Sequence, residues 1–568
     1  FFPTYENREN VTTDSYSEGA WNNQEWTFSN TLNYERTVGE RHNVTLLAGA
    51  EWNKDVGRFQ QGSTTDFFSF DPDFTNLQNG AGTPVQFSSH FVTTLSSQFG
   101  KVDYNYASRY FLSGTLRRDG SSKFLRDKYG VFPSVSAGWR ISEESFFPEN
   151  DWLTDLKVRA GWGIMGNQLN VGQNNAYSLF SSTNQVAAYP IAGGSSGGSV
   201  GFFPSRIGAP GAKWEEDENL NVGVDLAILD GQVEATVDYY QKDITDLLFD
   251  PEIPGTGGTA SEPTVNVASM KNTGVDASLR GQTQVGGVEI RGNLNVTSYN
   301  NEITKVSGVQ DFFSQESRRF QGQNIVRNEV GQEMSSYYGF KVIGFWQSEA
   351  EIQEANSGVD DGKYQPDAAP GRFRYKDVNG DGKITTEDRT FLGSPNPNFT
   401  AGLNLGLSYS NWDLSVALYG SQGAEIWNQV KWWHDFFGSF NGAKSEEALN
   451  NSWQPGADNS DATVPIQELG RTFSTNAVPN SYFVEDGDYL RIRNVRLGYT
   501  VPSGLVRSIG AEQIRLYVQV TNLATFSPYS NPEPEIGSSD PGDVTSFGID
   551  EGSFPRPREY LGGVNIQF

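Results

Sequence analysis

Apolar and polar residues alternate one by one through most of this 568-residue chain, a pattern that few folds accommodate. Successive side chains of an extended strand point to opposite faces, so each such run predicts a strand with one greasy and one wet side. Leu220, Val222, Val224, Leu226 and Ile228 alternate with Asn221, Gly223, Asp225 and Ala227, and Val233, Ala235, Val237 and Tyr239 with Glu234, Thr236 and Asp238. The same holds for Val288, Ile290, Leu294 and Val296, for Trp412, Leu414, Val416 and Leu418, and for Ile514, Leu516, Val518 and Val520. Counting such runs between turn signals gives about fifteen strands. In the last of them Tyr560, Gly562, Val564, Ile566 and Phe568 share a face, opposite Glu559, Asn565 and Gln567. A final strand of that kind, stopping on an aromatic residue, suits the closing strand of a transmembrane β-barrel.

A soluble sandwich also alternates, with its greasy face inward, so the connections must decide. They run short, long, short, long. Val38 to Arg41, Ala107-Ser108, Asp230-Gly231, Val285 to Gly287 and Ser410-Asn411 are short, with Ile141 to Thr154 and Pro502 to Ala511 somewhat longer. Between them come Val56 to Ser88, Asp119 to Gly130, Gly166 to Lys213, Lys242 to Met270, 301–398, 421–486 and Asn522 to Pro557. Outer-membrane barrels have this rhythm because periplasmic turns are short and extracellular loops long. The fold class expected is therefore all-β, a transmembrane antiparallel barrel. If the last strand runs toward the periplasm, so does the first, near Glu25 to Thr37, and an even-numbered barrel then needs an odd number of strands upstream. Seven more would give the roughly 22 strands of plugged transporters. On this reading residues 1–22 end an extracellular loop, 23–568 are the C-terminal part of the barrel, and the plug lies upstream.

Composition agrees. Only 36% of residues are hydrophobic while 13% are aromatic, and no run of about 18 apolar residues could make a transmembrane helix. A net charge of −27 excludes nucleic acid as a partner, since phosphates demand clustered cations. The absence of cysteine removes disulfide and thiolate-metal schemes. No signal peptide opens the chain at Phe1, so it reads as a fragment of a longer protein.

Several motifs carry a family resemblance. They are Tyr110-Phe111-Leu112-Ser113-Gly114-Thr115-Leu116-Arg117-Arg118-Asp119-Gly120-Ser121-Ser122-Lys123-Phe124, Tyr129-Gly130-Val131-Phe132-Pro133-Ser134, Ala137-Gly138-Trp139-Arg140 and Leu156 to Gly163. Gly166-Asn167-Gln168, Lys213-Trp214-Glu215, Tyr489-Leu490-Arg491-Ile492-Arg493-Asn494-Val495 and the last strand complete the set. In this order the chain resembles the C-terminal barrel portion of SusC/RagA-type TonB-dependent outer-membrane transporters of Bacteroidetes-like bacteria. The resemblance implies a cell outer-membrane protein that is not an enzyme. It also implies import of oligosaccharides or peptides, a SusD-like surface lipoprotein closing over the mouth, and energy from the TonB–ExbB–ExbD complex through the plug. Read from residues alone, Trp139 and Trp162 fit an interfacial aromatic belt. Two alternatives from other classes are a secreted β-rich glycan-binding protein or hydrolase, and a passive porin.

The sharpest chemical motif is Asp377-Val-Asn379-Gly-Asp381-Gly382-Lys383-Ile-Thr385-Thr-Glu387-Asp388. Oxygen donors at positions 1, 3, 5, 7, 9 and 12, with glycine at 6, are the pattern of a calcium loop. Asp377, Asn379, Asp381, the Lys383 carbonyl, Thr385 and Asp388 are the expected ligands of one structural calcium ion. Aspartate at position 12 departs from the usual glutamate and resembles dockerin-type loops, and an ion-free Asx turn is the alternative reading. Trp432, Trp433, His434, Phe436 and Phe437, with nearby Trp427, form an aromatic cluster in the 421–486 loop and are candidate sugar-stacking or partner contacts. Packing of the loop onto the barrel is the alternative for them. His42, His90 and His434 lie far apart in the chain, and no carboxylate spacing specifies a glycosidase pair.

Overall fold

Fifteen strands join edge to edge in chain order into one antiparallel sheet in the computed structural model. The structure describes residues 14–568 apart from 70, 149–151, 183–185, 190–198, 252–254, 307–311, 317–319, 321–322, 361, 441, 508–509 and 538–546. The strands are β1 (Ser15–Val38), β2 (His42–Thr65), β3 (Val85–Tyr106), β4 (Tyr110–Ser121), β5 (Tyr129–Arg140), β6 (Leu153–Asn167), β7 (Glu215–Ile228) and β8 (Val233–Phe249). They continue as β9 (Val265–Val285), β10 (Val288–Val306), β11 (Phe399–Tyr409), β12 (Trp412–Gln422), β13 (Tyr489–Thr500), β14 (Gln513–Phe526) and β15 (Glu559–Gln567). Among the described residues β1 pairs only with β2 and β15 only with β14, so the wall has two unpaired edges.

The alternation sets which face each residue takes. Leu156, Leu226, Ala235, Leu279, Leu294, Leu403, Leu418 and Ile492 lie opposite one another in turn and form a single apolar rung across eight strands. On this same face Leu112, Leu279 and Val518 are 54%, 46% and 60% exposed, an apolar exterior that water would penalise and hydrocarbon would not. Trp139 lies toward its short-turn end, where its indole N–H donates to Glu144, and Trp162 toward its long-loop end, donating to Glu218. No helix among the described residues is long and apolar enough to cross a membrane.

The short and long connections alternate through the fourteen junctions of the sheet, except that the long-side connection 122–128 is shorter than the short-side connection 141–152 that follows it. The expected Asp-Gly hairpin is present: Asp230 and Gly231 take φ of 54° and 78°, and the Gln232 N–H donates to the Leu229 carbonyl at 3.1 Å.

Boundaries differ from expectation on the long-loop side. Residues 1–13 lie outside the described residues, and 15–22 belong to β1 instead of to a loop. The 421–486 loop begins only after Gln422 and ends at Tyr489, and β10 continues to Val306 before the 301–398 loop leaves it. Most extended is β2, which runs ten residues into the segment read as the loop Val56 to Ser88, while β3 takes its last four. Beyond the bilayer both faces of a strand meet water, so the ladder of hydrogen bonds continues while the greasy face that signals it disappears.

Long loops supply the buried cores. The described parts of the three connections β10–β11, β12–β13 and β14–β15 fold together around Phe320, Val326, Tyr337, Phe340, Phe373, Tyr375, Trp427 and Phe483, each 0% exposed. A second cluster gathers Phe124, Val171 and Trp214 from the loops beside β4 to β7 onto Leu248 of β8.

Candidate functional site

The polar face of the wall becomes the lumen, and its charges are paired across strands. Arg159 on β6 holds Asp238 on β8 at 2.6 Å and Asp225 on β7 at 3.2 Å, and takes in Asn221 at 3.4 Å. Arg117 on β4 holds Asp119 at 2.8 Å and donates to Ser97 on β3 at 2.9 Å. Arg515 on β14 holds Asp413 on β12 at 2.5 Å. A cavity of about 500 Å³ lies against this wall near the short-turn side, bordered by Asn43, Asp103, Ser113, Lys157, Arg159 and Asn221. Such pairs, within a strand for Arg117 and across strands for Arg159 and Arg515, leave this hydrophilic face with its arginines engaged by carboxylates.

The predicted aromatic contacts separate. Trp432 and Phe436 are 7% and 4% exposed, and with the fully buried Trp427 they belong to the core of the loop assembly. The Trp432 indole N–H donates to the Asn476 carbonyl at 3.0 Å, and Trp433 packs half-buried against the same core. Trp427, Trp432 and Phe436 are too buried to stack on a sugar, and their large rings hold the long loops together. His434 is exposed, Phe437 is 45% exposed and Trp433 half-buried, so these three of the cluster reach the surface.

One arginine fastens the last long loop to the wall. Arg491 of β13 is 1% exposed, yet it bonds Glu533 at 2.5 Å, Glu535 at 2.9 Å and the Thr525 hydroxyl at 3.0 Å. Arg493 and Arg556 add contacts of 3.1 and 3.2 Å to Glu535. The sequence reading missed this clamp. Its signal was two arginines and two glutamates with the same spacing of two, Arg491 with Arg493 and Glu533 with Glu535.

A second seam joins that loop to the loop assembly. Glu485 bonds Lys431 at 3.2 Å and accepts from the Ser530 N–H and hydroxyl, each at 3.0 Å. Burial alone would raise this carboxyl, but Lys431 and Ser530 hold it below the usual range. Asp550 behaves alike: burial opposes, yet the Ser553 and Gly552 N–H groups, the Tyr529 hydroxyl and Asn531 depress it. Glu425 goes the other way and is raised by burial, although the Ser394 N–H donates to it at 2.8 Å.

The loop Asp377 to Asp388 closes through its own carboxylates. Asp377 accepts from the Gly380 and Gly382 N–H groups at 2.7 and 2.9 Å, Asn379 from Asp381 at 2.9 Å, and Asp381 from Lys383 at 2.9 Å. Asp388, fully buried, accepts from Val378 and Thr385, each at 2.8 Å. Gly382 takes the left-handed φ of 85° that the sixth position of such a loop demands. Among the described residues no three His, Asp or Glu side chains gather to grip a metal, and the three histidines stay apart. The donor kinds, their order and the glycine turn nevertheless fit a hard cation, because each amide-bonded oxygen keeps a further lone pair.

The family model described as "TonB dependent receptor-like, beta-barrel" matches residues 1–523. The TonB-dependent receptor P26 of Formosa agariphila is 31% identical over 565 residues, which is 98% of this chain and 54% of the relative. The TonB-dependent receptor SusC of Bacteroides thetaiotaomicron is 26% identical, over 94% of this chain and 49% of its own length. Among solved structures the RagAB peptide transporter superposes with a TM-score of 0.79 at 23% identity, covering 98% of this chain and 56% of that one. The chain thus spans about half the length of the relatives it matches.

Proposed function

The chain belongs to the TonB-dependent receptor-like β-barrel family, which places it in the outer membrane among receptors and not among enzymes, and from that premise we propose that the whole protein is a TonB-energised importer of oligosaccharides or peptides. The observation that carries this reading is the wall itself: a greasy exterior, a lumen lined by paired charges, and a mouth built over by folded long loops. Such a lumen lets a hydrated ligand slide without being trapped by a bare charge, and the loop assembly gives a lid a firm seat. A SusD-like lipoprotein is the partner proposed for that seat. The likeness to the RagAB peptide transporter, at 23% identity, is one of fold and does not choose between the two ligand classes.

Cells carrying the full-length protein are expected to lose uptake when TonB is removed while still binding ligand at the surface. Uptake that persists undiminished would favour a passive porin. Deleting the lipoprotein should weaken capture more than barrel assembly.

Calcium is the structural ion proposed for the external loop, held by Asp377, Asn379, Asp381, the Lys383 carbonyl, Thr385 and Asp388. It would neutralise three carboxylates confined to one turn. Chelation and Asp381→Ala should each speed proteolysis of 360–390 and leave the barrel folded. Equal proteolysis with and without calcium would remove the ion.

A further inference from the structure

Four tyrosines form an arc on the lumen wall just below the loop assembly. Tyr240 on β8, Tyr299 on β10, Tyr419 on β12 and Tyr489 on β13 all take lumen-facing positions and are half-buried. Tyr240 and Tyr299 flank Gly274 from either side in the strand register. A Cβ at Gly274 would stand 2.5 Å from the Tyr240 hydroxyl, so the Tyr240 ring crosses β9 through space that only glycine leaves. The rings of Tyr419 and Tyr489 lie 6.0 Å apart. Among the described residues none of the four hydroxyls has a hydrogen-bond partner within the protein.

The charges around the arc are already committed. The Arg493 guanidinium covers Tyr419 at 3.9 Å and Arg491 lies 5.5 Å from Tyr489, but both are engaged by Glu535. Asp276 accepts the Thr297 hydroxyl at 2.7 Å. An anionic ligand would be repelled here. The strands of this stretch are paired on both sides, so they offer no free backbone edge to an extended peptide. What the arc offers is the ring faces of Tyr240 and Tyr299, the faces of Tyr419 and Tyr489 turned away from Arg493 and Arg491, and four O–H groups without a partner among the described residues. Those suit the weakly positive C–H faces and the hydroxyls of sugar rings. Tyr240 and Tyr299 stand on strands either side of β9, and the Tyr240 hydroxyl reaches over Gly274 on the strand between them.

We propose that this arc is a stacking track for a neutral oligosaccharide chain in the lumen. The proposal rests on the import reading above and names its ligand class.

The test uses the full-length transporter purified in detergent. Arrays of linear neutral hexasaccharides and of neutral, basic and acidic hexapeptides are the probes, with affinities then measured by calorimetry. At least one neutral glycan should bind. The double variant Tyr299→Ala/Tyr419→Ala should weaken it about tenfold, and the corresponding Phe variants less, because stacking survives without the hydroxyls. Heat-modifiable gel mobility verifies that each barrel is folded, and the Phe variants remain informative if the Ala pair is not. Retention of peptides alone, of no probe, or of glycans with equal affinity by the Ala variant would overturn the track. TonB-dependent uptake of a peptide alongside any of these outcomes would leave the import reading standing.

Discussion

Adjacent residues on one strand give the cleanest test of which face meets lipid. Leu405 stands in the middle of the 11-residue β11, pointing to the apolar exterior, and Asn404 beside it points into the lumen. Leu405→Arg should cost about 2–4 kcal/mol of folding stability if it lies near the bilayer midplane, and Asn404→Arg far less. Urea titrations of the refolded full-length barrel measure the difference; equal costs would contradict the assignment of faces. Asn221 is a poorer lumen control because it already receives Arg159 at 3.4 Å, so an arginine there meets another guanidinium. The face of each wall residue was legible in the sequence because parity is local, whereas the role of Trp432 was not. Ring burial there depends on Phe320, Phe373 and Phe483, brought in from more than one loop. Arg491 was hidden for the same reason, since its partners Glu533 and Glu535 stand some forty positions away.

At the scale of elements, the long loops form a body held by two seams, and their titration behaviour differs from that of the strands. Glu485 and Asp550 have depressed folded pKa values, so their contribution is complete above the ordinary carboxylate range near 4 and is lost as pH falls through and below it. Glu425, raised by burial, has the opposite sign and partly offsets this. Hydrogen exchange between pH 7 and pH 3.5 should therefore show protection falling first in 527–537 and 428–431, with β7 to β10 unchanged. Glu485→Gln should lose protection at pH 7 and respond less to acid; a uniform loss over the barrel would refute the seam. Turn rhythm disclosed where these loops lie, but loop conformation has no period to read. Only the Asp377 to Asp388 stretch, whose donors repeat at fixed spacing, could be placed by sequence alone.

On the scale of the whole molecule, unequal strand length is the feature with the widest reach. β1 and β2 have 24 residues and β3 has 22, whereas β11 and β12 have 11 each. About 3.3 Å per residue and a tilt near 40° lift the long strands to roughly 60 Å, of which the apolar band needs about 25 Å. The rim is consequently a ramp, with a high parapet at one part of its circumference and a low sill, topped by the loop body, at another. The proposed cap would meet bare paired strands on the parapet side and the folded loop body on the sill side, so its two edges would rest on different material before any single contact between cap and rim is chosen.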